Sequence, residues 1–486
     1  MAPTLPSELG EVTTPDSPAW WLRRLEANLD DRLPQLSRNE RYYRGEHELA
    51  FAMERFRIAF GKTFRTFANN WMPMVVDACA ERLQVQGFRI PTAEETAPRS
   101  GDTESWDMWQ ANNLDGYSAA LFTDTLAHGL GYMIVGPGGE YPEITIESGF
   151  EVICESAPGY RLRRLAALKR WRDPDGFLNA TLYLPEAIWK LRSSKPVDAK
   201  GRHMGAIAWV ARPGEDFPMR NPIGEVPVVP FYNRPRLAVP YEGEFQQLIP
   251  MQNACNKLFM DMLVASEYGA FRQRWMTGIE VPRDPETKEV LTSFKKQVLE
   301  HVMVSENQET AFGNFEATDL GNYVAAIETI VQNIATQSKT PPHYFFLKGE
   351  LPSGETLKSA ETPLVTKVRG KQVVFGESLE EVVRLAFLMR GNEDKAEAAR
   401  RAETIWADPE TRSESEHIDA LTKQLALGIP PEILWEKAGY SPEEIVRIKE
   451  IKAAEPSPAE PAGGAPGAAE MAGQMQIAAG VSPSTT

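Results

Sequence analysis

Cysteine is scarce in this chain: 486 residues contain three, Cys79, Cys154 and Cys255. They lie far apart and form no CxxC pair, so neither a disulfide framework nor a thiolate metal site organises the fold. All three read as small buried apolar side chains. Histidine is sparse too. His47, His128, His203, His301, His343 and His417 stand singly, none with a second histidine at ligand spacing, and no metal or other cofactor is expected. No run of 18 or more apolar residues occurs, which excludes a membrane-spanning helix. Met1 to Pro18 lacks the basic start and apolar core of a signal peptide, so assembly in the cytoplasm is the expectation. Positive charge is in deficit. Against 68 acidic residues stand 52 Lys and Arg, a formal net charge of −16. A sequence-reading DNA binder carries a basic face, and this balance argues against one. It suits a surface that does not hold polyanions.

Catalytic motifs are missing as well. Gly61-Lys62-Thr63 matches the end of a phosphate-binding loop, but Phe56 stands where its first glycine belongs. There is no GxSxG elbow and no HExxH. Gly136-Pro137-Gly138-Gly139 reads as a turn. Asp124 with His128, and Glu414 with His417, lie about one helical turn apart. They read as ordinary hydrogen-bonded or solvated helix pairs; a dispersed metal or general-base site around Asp124 and His128 is the rival reading.

What is present is length, an ordinary apolar fraction of 42% and a clear order of parts. At roughly 100–200 residues per domain, two to four structural units are expected. Residues 1–15, rich in Pro, Thr and Glu, read as disordered. Ser17-Pro18 opens a helix that runs on through Pro34 to Tyr43. A second helix is expected around Trp71 to Leu83, and one or two more from Trp106 to Leu130. Gly131 to Val135 switches to a strand. From Tyr141 to Phe231 the pattern is mainly β, broken by turns such as Asp173-Pro174-Asp175-Gly176. Pro227 confines the Val226–Val229 run to a sheet edge or a strand end.

A change of character comes at Tyr241. Phe245 to Leu263 has the period of an amphipathic helix, with Pro250 bending it or marking its start. Residues 269–318 are turn-rich, with a short helix expected near Val290 to Val302. A second long helix spans Asp319 to about Lys339 and stops at Pro341-Pro342. An apolar stretch and a Gly/Pro-shaped loop precede a long helix, Glu355 to about Met389, with a kink expected at Pro363. Short helical patterns fill 391–452. The Ala/Pro/Gly/Ser-rich tail beyond Ala453 is expected to be disordered. The fold class is α+β, predominantly helical. Two long helices flanking a self-contained excursion can pack as an antiparallel pair, and a repeating neighbour can cover the apolar surface such a pair leaves.

Three stretches resemble portal proteins of tailed bacteriophages, of the kind found in actinobacteriophages. One is Asn69-Asn70-Trp71-Met72-Pro73-Met74-Val75-Val76-Asp77 with Glu81-Arg82-Leu83 and Gly87-Phe88. Another is Glu225-Val226-Pro227-Val228-Val229-Pro230-Phe231 with Asn233-Arg234-Pro235. The third begins at Thr340-Pro341-Pro342-His343-Tyr344 and passes through Gly349 and Ser353-Gly354-Glu355-Thr356-Leu357-Lys358. It ends with Glu361, Lys367-Val368, Lys371-Gln372 and Phe375-Gly376-Glu377.

The resemblance implies a portal fold with wing, stem, clip and crown regions, and a structural role rather than an enzymatic one. Such proteins form rings of about twelve subunits. They make the channel at one capsid vertex through which DNA is packaged and ejected, and to which the tail is joined. By position, 16–240 would be the wing, 241–268 and 319–340 the stem helices, and 269–318 the clip. Residues 341–390 would supply the tunnel loop and the kinked wing helix, 391–453 the crown, and 454–486 the tail. Lys348, Gly349, Glu350, Ser353 and Gly354 would face DNA, with Lys348 touching its backbone; Phe345, Phe346 and Leu347 would pack against a neighbour. The implied partners are further copies of the chain, double-stranded DNA passing without sequence specificity, a terminase motor, a head-tail adaptor, and the major capsid and scaffolding proteins. The implied location is the virion, assembled in the host cytoplasm without a membrane. Another virion connector is the alternative structural role; a nuclease or hydrolase at Asp124 and His128 is the alternative of another class.

Overall fold

A computed structural model of the chain describes residues 5–48, 69–91, 101–197, 207–238, 241–270, 274–277, 309, 311–314, 319–345, 353–410 and 414–454. Its helices are α1 (Pro18–Tyr43), α2 (Met72–Ala80), α3 (Thr103–Ala111), α4 (Leu114–His128), α5 (Ile249–Ala270), α6 (Gly321–Ser338), α7 (Gly354–Met389), α8 (Glu393–Ala398), α9 (Glu414–Ala426), α10 (Pro431–Lys437) and α11 (Pro442–Ala454). Its strands are β1 (Val85–Arg89), β2 (Leu130–Gly136), β3 (Glu143–Ser148), β4 (Val152–Ala157), β5 (Tyr160–Arg172), β6 (Leu178–Tyr183), β7 (Ala187–Ser193), β8 (Trp209–Ala211), β9 (Met219–Arg220), β10 (Val228–Tyr232), β11 (Arg274–Thr277), β12 (Ala311–Asn314) and β13 (Glu403–Trp406). The chain divides into two compact units, 1–442 and 443–486. Within the second, the described residues are 443–454, which lie in α11.

Local chemistry sets several helix ends. The Ser17 hydroxyl accepts the Trp20 N–H, and Pro18 occupies the first turn of α1, where its missing donor costs nothing. The Asp102 carboxylate caps α3 by accepting from the Ser105 N–H at 2.8 Å. Gly129 ends α4 at φ +97°, and a Cβ there would meet the Glu242 and Gly243 backbone at 2.8–2.9 Å. Only glycine lets α4 lie so close to the chain that enters α5. Pro250 is the second residue of α5, so it marks that helix's start.

Besides the two-stranded ladders β1-β13 and β11-β12, the described strands form two larger antiparallel sheets. β10-β2-β3 makes one; β4-β5-β6-β7-β8, with β9 paired to β7, makes the other. β10 is an edge strand and begins just after Pro227, so the Val226–Val229 run lies both at a sheet edge and at a strand end. Leu36, Tyr132, Val152, Cys154 and Val228 bury a seam between the sheets. Arg32 crosses it, donating to the Tyr132 hydroxyl at 3.0 Å and to the Gly149 and Val152 carbonyls.

The main core joins α2, α3, α4, β2, β10, the start of α5, the end of α6, and α7. Phe375 of α7 is fully buried there, parallel to Phe122 at 5.5 Å and 6.2 Å from Phe231. α7 continues through Pro363 as one helix of 36 residues. A second core packs α1 on the larger sheet, and Leu9 is fully buried in it. Disorder expected over 1–15 is therefore corrected for 5–15: Leu5 and Leu9 contribute apolar surface that outweighs the ordering cost.

Residues 391–410 hold the short helix α8, in keeping with the expected helical pattern, followed by a strand that pattern did not include. β13 pairs antiparallel with β1, and Ala396, Ala399 and Ala402 enter the main core. The expected short helix at Val290–Val302 and the tail beyond residue 454 lie outside the described residues.

Candidate functional site

α5 and α6 pack on one another. Just beyond them, β11 and β12 pair antiparallel, with Arg274 opposite Asn314 and Thr277 opposite Ala311. That ladder brings together the two ends of the 278–310 excursion and turns the helix pair back on itself. Farther from the body, Leu263 and Val324 stay exposed on the pair.

At the body end a buried charge cluster holds both helices to α7. The Glu244 side chain, fully buried just ahead of α5, lies 3.4 Å from Lys367 Nζ, 3.1 Å from Lys371 Nζ and 2.8 Å from Arg234 Nη2. Lys367 also donates to the Ser338 carbonyl at the end of α6, at 2.9 Å. Lys371 bonds the Asn233 side chain, whose amide donates to the Glu242 carbonyl at 2.7 Å. Burial by itself would raise the Glu244 carboxyl; Lys367, Lys371 and Arg234 outweigh it and hold the group well below the usual carboxylate range. Burial draws Lys371 down, against the pull of Glu244.

A second polar cluster fixes the chain on both sides of residues 346–352. Arg82 of the α2–β1 connection donates to the Tyr344 hydroxyl at 2.6 Å and lies 3.4 Å from Glu361 of α7. Tyr344 donates to Glu361 at 3.2 Å, and His343 lies 3.7 Å from the same carboxylate. Phe345 is buried, its ring 5.6 Å from Trp71. It packs within its own chain, which corrects the expected contact with a neighbour. On the far side, the Ser353 hydroxyl accepts the Thr356 N–H at 3.3 Å as the cap of α7. Ser353 and exposed Gly354 thus begin that helix. Lys348, Gly349, Glu350, Phe346 and Leu347 lie outside the described residues.

A third network joins α1, α2 and α5. His47 is buried and stacks on Tyr42 at 4.9 Å. Its Nε2 faces two acceptors, the Tyr42 carbonyl and Asn70 Oδ1, each at 3.2 Å; Asn256 Nδ2 donates to its Nδ1 at 2.7 Å. A proton on Nδ1 would meet a donor. Burial is the main force that lowers this imidazole below its ordinary value. The folded chain refuses a proton that the unfolded chain accepts near pH 6.5, so this histidine makes stability fall as pH drops through that region. His47→Asn is expected to remove up to about 1.4 kcal/mol per pH unit of that slope. Denaturant unfolding of the unassembled chain between pH 7 and 5 checks this; an unchanged slope would show that His47 titrates freely.

The remaining candidates are engaged in structure. His128 is buried, with Nε2 2.9 Å from Glu40 and its ring edge-on to Phe150. Burial pushes the Asp124 carboxyl up, while His128 pulls it down. No group of three or more metal-ligating side chains occurs among the described residues. Cys79, Cys154 and Cys255 are buried and free; burial raises the Cys79 thiol to about 11 and that of Cys154 to about 12. No helix among the described residues is long and apolar enough to cross a membrane. The residues that carry the sequence resemblance thus converge: Arg82, His343, Tyr344 and Glu361 in one cluster, Asn233, Arg234, Lys367 and Lys371 in another. Sequence reasoning missed Glu244, the anion that holds the second together.

Comparison with known proteins agrees with this architecture. The family model for phage portal proteins of the SPP1 Gp6-like type matches residues 22–457, so the chain belongs to that family. It has a phage portal function, as a structural component of the virion that works in an oligomeric assembly. The portal protein of Mycobacterium phage D29 is 32% identical, with 78% of each chain covered. That of Mycobacterium phage L5 is 31% identical, with 76% of each covered.

Proposed function

We propose that this chain closes into a ring of about a dozen copies and lines the channel at the portal vertex, through which double-stranded DNA passes without sequence recognition. The observation that carries this reading is the α5–α6 pair, turned back on itself by the β11–β12 ladder and tied to the body through Glu244, Lys367 and Lys371. α5 and α6 are the stem, and residues 269–318 the clip that a terminase motor and later a head-tail adaptor grip. Residues 16–240 with α7 form the wing, facing capsid and scaffolding proteins. The crown begins at α9, because 391–410 pack into the body. Exposed Leu263 and Val324 on the stem are covered by neighbours in the ring.

Charge favours passage over retention. Between Glu377 and Glu460 stand 19 acidic and 11 basic residues, half of the chain's net −16. Repeated around a ring, that surface repels phosphate, whereas phosphate neutralisation would hold DNA in place. The tunnel loop comprises Lys348 to Gly354, and Lys348 touches the DNA backbone in passing. Tyr344 and Phe345 fix one side of that stretch and the Ser353 cap the other. Lys348→Ala is expected to leave rings intact and lower the yield of heads that package and retain DNA. Unchanged packaging and retention would overturn the contact.

A further inference from the structure

One surface of the body runs against the character of the rest. β4 and β5 form a hairpin in which Ala157 pairs with Tyr160 and Ser156 with Arg164. Arg161, Leu162 and Arg163 therefore have no counterpart on β4, and β6 first pairs at Ala167. The three form a bulge at the rim of the sheet, of the kind that re-aims side chains outward. Tyr160 is 60% exposed and Leu162 73%. Beside them lies the segment after β10, where Leu237 is 96% exposed. Arg161 Nη2 donates to the carbonyls of Arg236 and Leu237, at 3.2 and 2.8 Å, and ties bulge and segment into one surface. Among the described residues no carboxylate lies within ion-pair distance of Arg161 or Arg163; Arg236 is 3.6 Å from Glu242 and 60% exposed.

This combination is that of an interface. Exposed tyrosine, leucine and arginine side chains give apolar contact area with positive charge, and arginine and tyrosine are enriched where proteins meet. The bond from Arg161 orders the surface before anything binds, which lowers the cost of association.

We infer that this surface, from Tyr160 to Arg163 with Arg236 and Leu237, docks on an acidic surface of the next copy of the chain in the ring. The ring itself rests on the portal reading above. Charge identifies the occupant: the patch is basic, while the chain that carries it has a net charge of −16. Charge also fixes the symmetry. A two-fold contact of the patch with itself would set arginine against arginine. Only a head-to-tail contact brings it against a different, acidic surface of an identical chain, and contacts of that kind close rings. Exposed arginines at the contact make assembly weaken as salt rises.

Leu237→Cys tests this with little disturbance, since the side chain is almost fully exposed and the three native cysteines are buried. A maleimide reagent should label rings of this variant at least tenfold more slowly than its unassembled chain. Equal rates in ring and unassembled chain would overturn the inference and leave the ring standing. Absence of any ring would sink both. Protection that appears only in heads containing capsid protein would assign the surface to that protein instead. As a second readout, Arg163→Glu should leave unfolding unchanged and raise the concentration needed for assembly about tenfold at low salt; assembly at the wild-type concentration would count against the docking.

Discussion

Replacing Glu244 with glutamine should destabilise the chain by about 3–5 kcal/mol, because it leaves cations buried without their counter-charge. The Lys367 and Lys371 side chains are 6% and 9% exposed, so neither can recover its hydration without opening the structure. Denaturant unfolding of the unassembled chain measures the loss. A double substitution, Glu244→Leu with Lys371→Met, should cost clearly less than its two single changes added together, because it removes the charges as a pair. Acid should act like the single substitution. The Glu244 carboxyl lies below its unfolded value, so its contribution is complete above the ordinary carboxylate pKa of about 4.3 and is lost as pH falls through the folded value. A loss under about 1 kcal/mol would mean that water reaches the cluster and that the stem is held in some other way.

Phe375→Ala is the second large effect expected, also about 3–5 kcal/mol. The ring joins α7 to α4 through Phe122 and to β10 through Phe231, so its loss leaves a cavity where three elements meet. Phe375→Leu should cost markedly less, since it keeps most of the volume. Unfolding of the two variants side by side is the check; equal losses would point to the aromatic geometry rather than the cavity. Since Lys367 and Lys371 stand on the same helix as Phe375, both substitutions loosen α7, the element that ties the stem to the body.

The sequence spoke most clearly where structure is local. Ser17-Pro18 at the start of α1, Pro250 opening α5 and Pro227 before an edge strand all act through the backbone of their immediate neighbours. The order of parts, a long helix, an excursion and a second long helix, was legible for the same reason. Long-range features were not. β13 is only four residues long and exists because β1 pairs with it from far along the chain. Leu9 sits in a stretch whose composition suggests disorder, and one leucine gives no periodicity. Glu244 falls at the start of the expected first stem helix, and nothing in its neighbours Tyr241-Glu242-Gly243 marks it for burial. It is buried because Lys367 and Lys371 arrive from a helix more than a hundred residues later. The resemblance marked both lysines, and two lysines one turn apart that point into a body need an anion; that is the signal by which Glu244 could have been sought.

The central claim, a closed ring with a channel, is tested most directly by native mass spectrometry of the purified chain together with electron microscopy of the same sample. A single closed assembly of about a dozen copies with a hole along its axis is the predicted result. A monomer or dimer that persists over a wide range of concentrations would contradict it.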